Sequence, residues 1–229
     1  MTFNTFATCI LEGNAMRCFI GLDLSATEKL ALDSWRQQAL PEVMPRQWAR
    51  GALQVPRKSG KHPVTHQGTS QPYAVPAANF HLTLSFLGEI NHRQHEALVY
   101  ELDQLVSEPF SLSLDTTGIW NGPKILYAAP NDKPRALMEL AKLSRKAARK
   151  ASIEIEGKEY KPHVTLVRKA TSTLPLPLYN PNVDLHISAF HLFESVSSPQ
   201  GVCYPIRQSW ALKHNMSIRE KLRRGITDE

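Results

Sequence analysis

The sequence predicts an α+β fold: two similar lobes with antiparallel sheets lining a central cleft and helices on the outside. Three observations predict it. Strand-like and helix-like stretches alternate along the 229 residues, yet several strand pairs are joined by connections too short for the crossover that a parallel sheet requires. The 42% hydrophobic content is enough to build a core. The pattern His-x-Thr-Leu occurs twice, at His81 and at His163, each early in its half of the patterned region, as in an internal repeat.

Taken in order, residues 1–15 lack a basic leader followed by a long apolar run, which argues against a secretory signal. They are expected to be a loose extension, with Met16 a candidate natural start. Residues 18–24 read as a buried strand. Ser25 with Glu28 three residues on forms a capping box for a helix with the stripe Leu30, Leu32, Trp35 and Leu40, stopped by Pro41. Residues 42–76 are rich in Pro and Gly, and Arg46, Arg50, Arg57, Lys58 and Lys61 outweigh Glu42. They read as a basic insertion, either a solvated loop or an electrostatic arm for a polyanion.

Strict alternation begins at Phe80. It assigns Phe80, Leu82, Leu84 and Phe86 to one face and His81, Thr83 and Ser85 to the other, with Gly88 closing the strand. A helix is expected over 91–106, then strands over 110–119 and 124–129 around the turn Asn121-Gly122-Pro123. Asn131 or Asp132 should cap a helix reaching about residue 151, apolar along Leu137, Leu140, Ala141, Leu143 and Ala147 and basic outside. A strand over 161–167, a closing hairpin of 186–195 with 201–212, and a basic tail over 214–229 complete the chain.

Composition excludes several classes. No run approaches the roughly 18 apolar residues of a membrane span. Cys9, Cys18 and Cys203 are odd in number and form no CxxC, so neither a disulfide framework nor a zinc site is expected, and a cytoplasmic location is. The net charge of +6 favours an anionic partner without naming one. GxGxxG, Walker A, GxSxG and HExxH patterns are all absent.

The paired motif carries the chemistry. With nine histidines in the chain, chance supplies roughly 0.5 His-x-Thr matches, and roughly 0.06 once leucine must follow. On a strand, residues i and i+2 point the same way, so each imidazole shares a face with a hydroxyl. Two such strands facing each other would surround one cavity with two groups that titrate near neutrality and two donors for phosphate oxygens. One ring can take a proton while the other gives one, which suits attack at phosphorus with no metal or cofactor.

The strings Arg17-Cys18-Phe19-Ile20-Gly21-Leu22-Asp23, Asn79-Phe80-His81-Leu82-Thr83-Leu84-Ser85-Phe86-Leu87-Gly88 and Lys161-Pro162-His163-Val164-Thr165-Leu166-Val167-Arg168 resemble the two-histidine phosphoesterase superfamily. Within it they are similar to the bacterial RNA 2′,3′-cyclic phosphodiesterases, also called 2′-5′ RNA ligases. The resemblance spans about residues 16–213, interrupted at 42–76. It implies that an RNA 2′,3′-cyclic phosphate end is hydrolysed to a 2′-phosphomonoester, and that the same site reversibly joins RNA ends 2′-5′. It also implies that His81 is the general acid and His163 the general base, with Thr83 and Thr165 binding phosphate. Sequence symmetry alone leaves open which ring does which.

Arg168 matches a basic position after the second motif, although strict alternation turns it away from His163 unless the strand ends or bulges there. Phe86 and Tyr127 are either base-stacking platforms or core residues, and Ser85 is a candidate hydrogen-bond donor on the face of His81. His92 and His95 lie at a helix start with no third ligand in view; His62, His66, His186, His191 and His214 have no partner that the sequence reveals. The expected substrate is RNA with a cyclic phosphate end, or a small cyclic nucleotide, taken by a monomer with no membrane attachment. The alternatives are a non-catalytic RNA- or nucleotide-binding module and a related enzyme for another cyclic phosphate.

Overall fold

The computed structural model describes residues 15–45, 71–157, 159–198, 201–213 and 223. In chain order its elements are β1 (Met16–Asp23), α1 (Ala26–Ala39), β2 (Tyr73–Ala74), β3 (His81–Ile90), α2 (His92–Asp103), β4 (Phe110–Leu114), β5 (Thr116–Trp120), β6 (Ile125–Ala129), α3 (Arg135–Lys150), β7 (Val164–Arg168), β8 (Val183–Ile187), β9 (Ala189–Glu194), β10 (Val196–Ser198), β11 (Gly201–Cys203) and β12 (Ile206–Ala211). A 3₁₀ turn, Ala77–Asn79, leads into β3.

Local signals start two of the helices. Ser25 and Glu28 exchange side-chain and backbone hydrogen bonds at the head of α1, and Asn91 and Gln94 do the same for α2. Leu32 and Trp35 bury the inner face of α1, but Leu30 is 66% exposed, because residues two apart on a helix do not share a face. The third helix departs from expectation. It begins after Pro134 with no side-chain cap, since the residue before a proline resists helical backbone. The Asn131 N–H donates instead to Asp115 Oδ1 at 2.7 Å.

The main sheet runs β12-β9-β1-β3-β7-β6-β5, with β2 added on β7. Each of its pairings is antiparallel, as the sequence predicts for an α+β chain. One face buries Ile20, Leu22, Leu82, Leu84, Leu126, Val164 and Leu166 in a common core with Leu32 of α1, Leu98 and Leu102 of α2, and Leu137 and Leu140 of α3. The opposite face carries the motif histidines. No described helix is long and apolar enough to cross a membrane.

Two stretches expected as single strands each change sheets midway. Residues 110–119 divide at Asp115, whose N–H donates to Ala129 O; β4 pairs with β8 in a separate two-stranded sheet, while β5 pairs with β6. Residues 186–195 divide around Ser188, so β9 joins β1 and β12. Alternation reports which residues are apolar on one side, not which strand lies alongside. The segment after β9 forms its own small hairpin, β10 with β11, before β12 returns.

The ends of the basic 42–76 segment are packed: Pro45 bridges to Ala74, β2 pairs with β7, and Val43, Ala74 and Val75 are buried. Its middle, residues 46–70, lies outside the described residues. So do residues 1–14 of the N-terminal extension and the tail from 214 onward apart from Arg223.

The sheet contains an internal duplication. The unit β1-α1-β3 corresponds to β6-α3-β7, and the motif strands β3 and β7 pair at Leu82 opposite Val164. These are the middle residues of the two His-x-Thr motifs. Both motif strands also bulge at the same place. Against β1, Thr83 faces Gly21 and Ser85 faces Ile20, so Leu84 is skipped. Against β6, Thr165 faces Tyr127 and Val167 faces Leu126, so Leu166 is skipped. The leucine ending each motif is the extra residue of a β-bulge. Nor does β3 end at Gly88: a second shift puts Gly88 opposite Cys18, at φ +72°, which glycine adopts without strain, and the strand runs on to Ile90.

Candidate active site

The leucine bulges decide which side chains share the histidine face. Without a bulge, Ser85 would lie beside His81 and Phe86 would enter the core. The extra residue reverses both. Ser85 pairs with buried Ile20 and is 3% exposed, its hydroxyl without a hydrogen-bond partner. Phe86 pairs with Phe19 and is 68% exposed, with its ring 6.3 Å from that of Phe19. The expectation that Ser85 lines the site is therefore corrected. In the second half, the same offset puts Val167 in the core and brings Arg168 onto the face of His163. Phe86 and Arg168 thus hold corresponding positions, each five residues after its histidine.

Each histidine is oriented by the same local device. His81 Nδ1 lies 2.8 Å from the carbonyl of Asn79, and His163 Nδ1 lies 2.8 Å from the carbonyl of Lys161, in both cases two residues upstream. A carbonyl only accepts, so each Nδ1 carries a proton and donates it. The remaining nitrogen, Nε2, is left to gain or lose a proton at the open face. From Leu82 opposite Val164, the antiparallel sense turns His81 toward the Thr165 side and Thr83 toward the His163 side. Thr83 is buried and Thr165 half-buried.

Aromatic walls hold the rings. The His81 ring is 4.7 Å from Phe19, 4.8 Å from Tyr204 and 5.8 Å from Phe193. The His163 ring is 4.5 Å from Trp120 and 5.7 Å from Tyr127. Tyr127 thus borders the site, and Phe19, Phe193, Tyr204 and Trp120 join it unforeseen. Their places come from strand pairing: Phe193 faces Phe19 across β9 and β1, and Trp120 faces Ile125 across β5 and β6. No spacing relative to His81 or His163 announces them in the sequence.

Arg168 crosses toward the other half. Its guanidinium donates to the Tyr204 hydroxyl at 3.4 Å, and its charge helps push His81 down. Burial is the main cause of that depression, which takes His81 to about 4; the Asn79 carbonyl opposes it, Arg168 and His163 add to it, and Asp23 opposes it. Asp23, opposite His81 on β1, is ion-paired to Lys29 at 2.6 Å. His163 is also lowered, chiefly by burial and against the pull of the Lys161 carbonyl. Both rings therefore hold a proton less tightly than an ordinary histidine, and an anion placed between them would raise both.

Apart from His95 on α2, the remaining histidines have local partners or lie outside the described residues. His92 approaches Glu96 at 3.5 Å on the surface of α2. His186 and His191 bond the hydroxyls of Ser111 and Ser209. Among the described residues no group of three or more His, Cys, Asp or Glu side chains is placed to hold a metal ion. His62, His66 and His214 fall in undescribed segments. Cys18 is buried and Cys203 exposed, both as free thiols.

Comparison with known proteins places this geometry. Residues 65–127 match the family described as LigT like Phosphoesterase. Escherichia coli LigT, crystallised with 3′-AMP, superposes with a TM-score of 0.71 at 25% identity, over 87% of this chain and 99% of that one. The chain is similar to the LigT-like phosphoesterases in sequence and in fold. The family match includes His81 and ends before His163, while the structural match extends over both halves. Its relatives include a protein of E. coli strain K12, 29% identical over 65% of this chain and 84% of its own length. Another, from Bacillus subtilis strain 168, is 28% identical over 68% of this chain and 90% of its own. Both bear the name RNA 2′,3′-cyclic phosphodiesterase.

Proposed function

We propose that this LigT-like domain hydrolyses RNA 2′,3′-cyclic phosphate ends to 2′-phosphomonoesters, without a metal or cofactor, as a cytoplasmic monomer. The observation that carries the reading is the duplicated arrangement of His81 and His163. Each presents Nε2 from a ring fixed through Nδ1, one from each half of the sheet. The names of the relatives supply the substrate class, and the two halves serve as two lobes of one catalytic unit.

In this reading the cyclic phosphate sits between the rings, its nonbridging oxygens held by Thr83 and Thr165. His163 Nε2 takes the proton of an incoming water. His81 Nε2 gives its proton to the 3′ oxygen as the P–O3′ bond breaks, leaving the 2′-phosphate. The low affinity of His81 for a proton is compatible with an acid role, because the substrate brings a negative charge. That charge offsets the Arg168 cation which helps to depress His81, so the ring becomes easier to protonate when the phosphate arrives. With a 5′-hydroxyl in place of water, the same two transfers join it to the cyclic phosphate through a 2′-5′ linkage as the P–O3′ bond breaks.

The test is product analysis on an oligoribonucleotide with a 2′,3′-cyclic phosphate end in the presence of EDTA. A 2′-phosphate product supports the proposal. Loss of turnover on chelation would contradict metal independence, and a 3′-phosphate product would contradict the assignment of the leaving oxygen.

A further inference from the structure

The two halves repeat in backbone but differ in charge beside their histidines. Next to His163 the sheet face is hollowed into a depression of about 240 Å³, lined among others by Thr116, Thr117, Trp120, Tyr127, Lys133 and Lys161. Trp120 and Tyr127 are the same rings that pack on His163, so the hollow and the reactive ring share two walls. Lys133 and Lys161 are exposed, and neither is ion-paired with a described residue. The hollow has no acidic lining residue.

The flank beside His81 is built differently. Its cations are neutralised, Lys29 by Asp23 and Arg207 by Glu194. The position of β6 that corresponds to Asp23 is Ala129, two residues past Tyr127, and Ala129 lines the hollow. A carboxylate in one half is thus a methyl group in the other. Gly118 contributes as well, since a Cβ there would lie 2.7 Å from Tyr127 Cζ; glycine lets the tyrosine ring lie across β5 and wall the hollow.

We propose that this hollow is a subsite for the nucleotide preceding the cyclic phosphate. The base stacks against Trp120 and Tyr127, and the phosphodiester oxygens meet Lys133 and Lys161. The preferred substrate is then an RNA chain end, not a mononucleotide. A polyanionic strand leaving the reactive centre on the His163 side meets Lys133 and Lys161, neither ion-paired with a described residue, and aromatic faces accept any base. This inference rests on the cyclic phosphodiesterase reading above.

The experiment compares kcat/KM for a nucleoside 2′,3′-cyclic phosphate with that for a short oligoribonucleotide ending in the same group, at low and high salt. The oligonucleotide should be preferred, and salt should shrink the preference. Lys133→Glu and Lys161→Glu should each lower the oligonucleotide-to-mononucleotide ratio by about fivefold or more and flatten its salt dependence. Opening of both substrates with equal efficiency, or an unchanged ratio in both variants, overturns the subsite while leaving the activity standing. Failure to open either substrate overturns the activity itself and the subsite with it.

Discussion

Leu82 lies directly opposite Val164, and that pair joins the two motif strands β3 and β7 of the main sheet. Each is the middle residue of a His-x-Thr motif, so the histidines and threonines flank the join from both sides. The same leucine bulge follows in each motif strand. The duplication therefore extends beyond four letters of sequence to backbone register, ring orientation and the position five residues after each histidine.

The electrostatics predict an acid-shifted optimum. The proposed reaction needs one ring protonated and the other neutral. In the free protein both affinities lie below the ordinary histidine value of 6.5, with His81 at about 4. The singly protonated form is therefore most populated on the acid side of 6.5 and dwindles as pH rises. A profile of kcat/KM, which reports the free protein, should peak below pH 6.5, whereas kcat should peak at higher pH because bound phosphate raises both rings. Arg168→Gln removes a cation that lowers His81 and should move the NMR titration of His81 upward. A kcat/KM optimum well above pH 7, or no movement of His81, contradicts this account.

Ser85 tests the bulge directly. Its buried hydroxyl has no partner, and an orphaned polar group costs about 1–3 kcal/mol. Ser85→Ala should leave turnover intact and leave stability unchanged or raise it by up to about 1 kcal/mol, part of the gain being lost to the vacated volume. Thermal melts and kcat measure both. A large fall in kcat with the fold preserved would return Ser85 to the site.

Phe86 makes the opposite prediction. As an exposed ring on the histidine face, Phe86→Ala should raise KM for an RNA end by about fivefold or more, the scale of one lost base–aromatic contact. Its melting temperature should scarcely move. A core phenylalanine would cost about 3–5 kcal/mol on the same change, so a collapse in stability with normal KM refutes the assignment.

What the sequence made legible divides at the leucine bulges. His81, Thr83, His163 and Thr165 were readable because the two-residue repeat of a strand holds across each motif. Ser85, Phe86 and Arg168 lie beyond the extra residue, where that repeat is out of phase and no residue type marks the change. The capping box at Ser25 and Glu28 was legible because both partners are local. The sheet changes at Asp115 and Ser188 were not, because they depend on which strand arrives alongside. Trp120, Phe19, Phe193 and Tyr204 were hidden for the same reason: they reach the histidines through cross-strand pairing and chain return, not through spacing.

The most direct test of the central claim is turnover of a 2′,3′-cyclic-phosphate oligoribonucleotide by the His81→Ala and His163→Ala variants, with products resolved as 2′- or 3′-phosphates. Each substitution should lower kcat at least about a hundredfold, the scale of a lost general acid or base, while the unaltered protein yields the 2′-phosphate. Near-normal turnover by either variant would contradict two-histidine catalysis at this site.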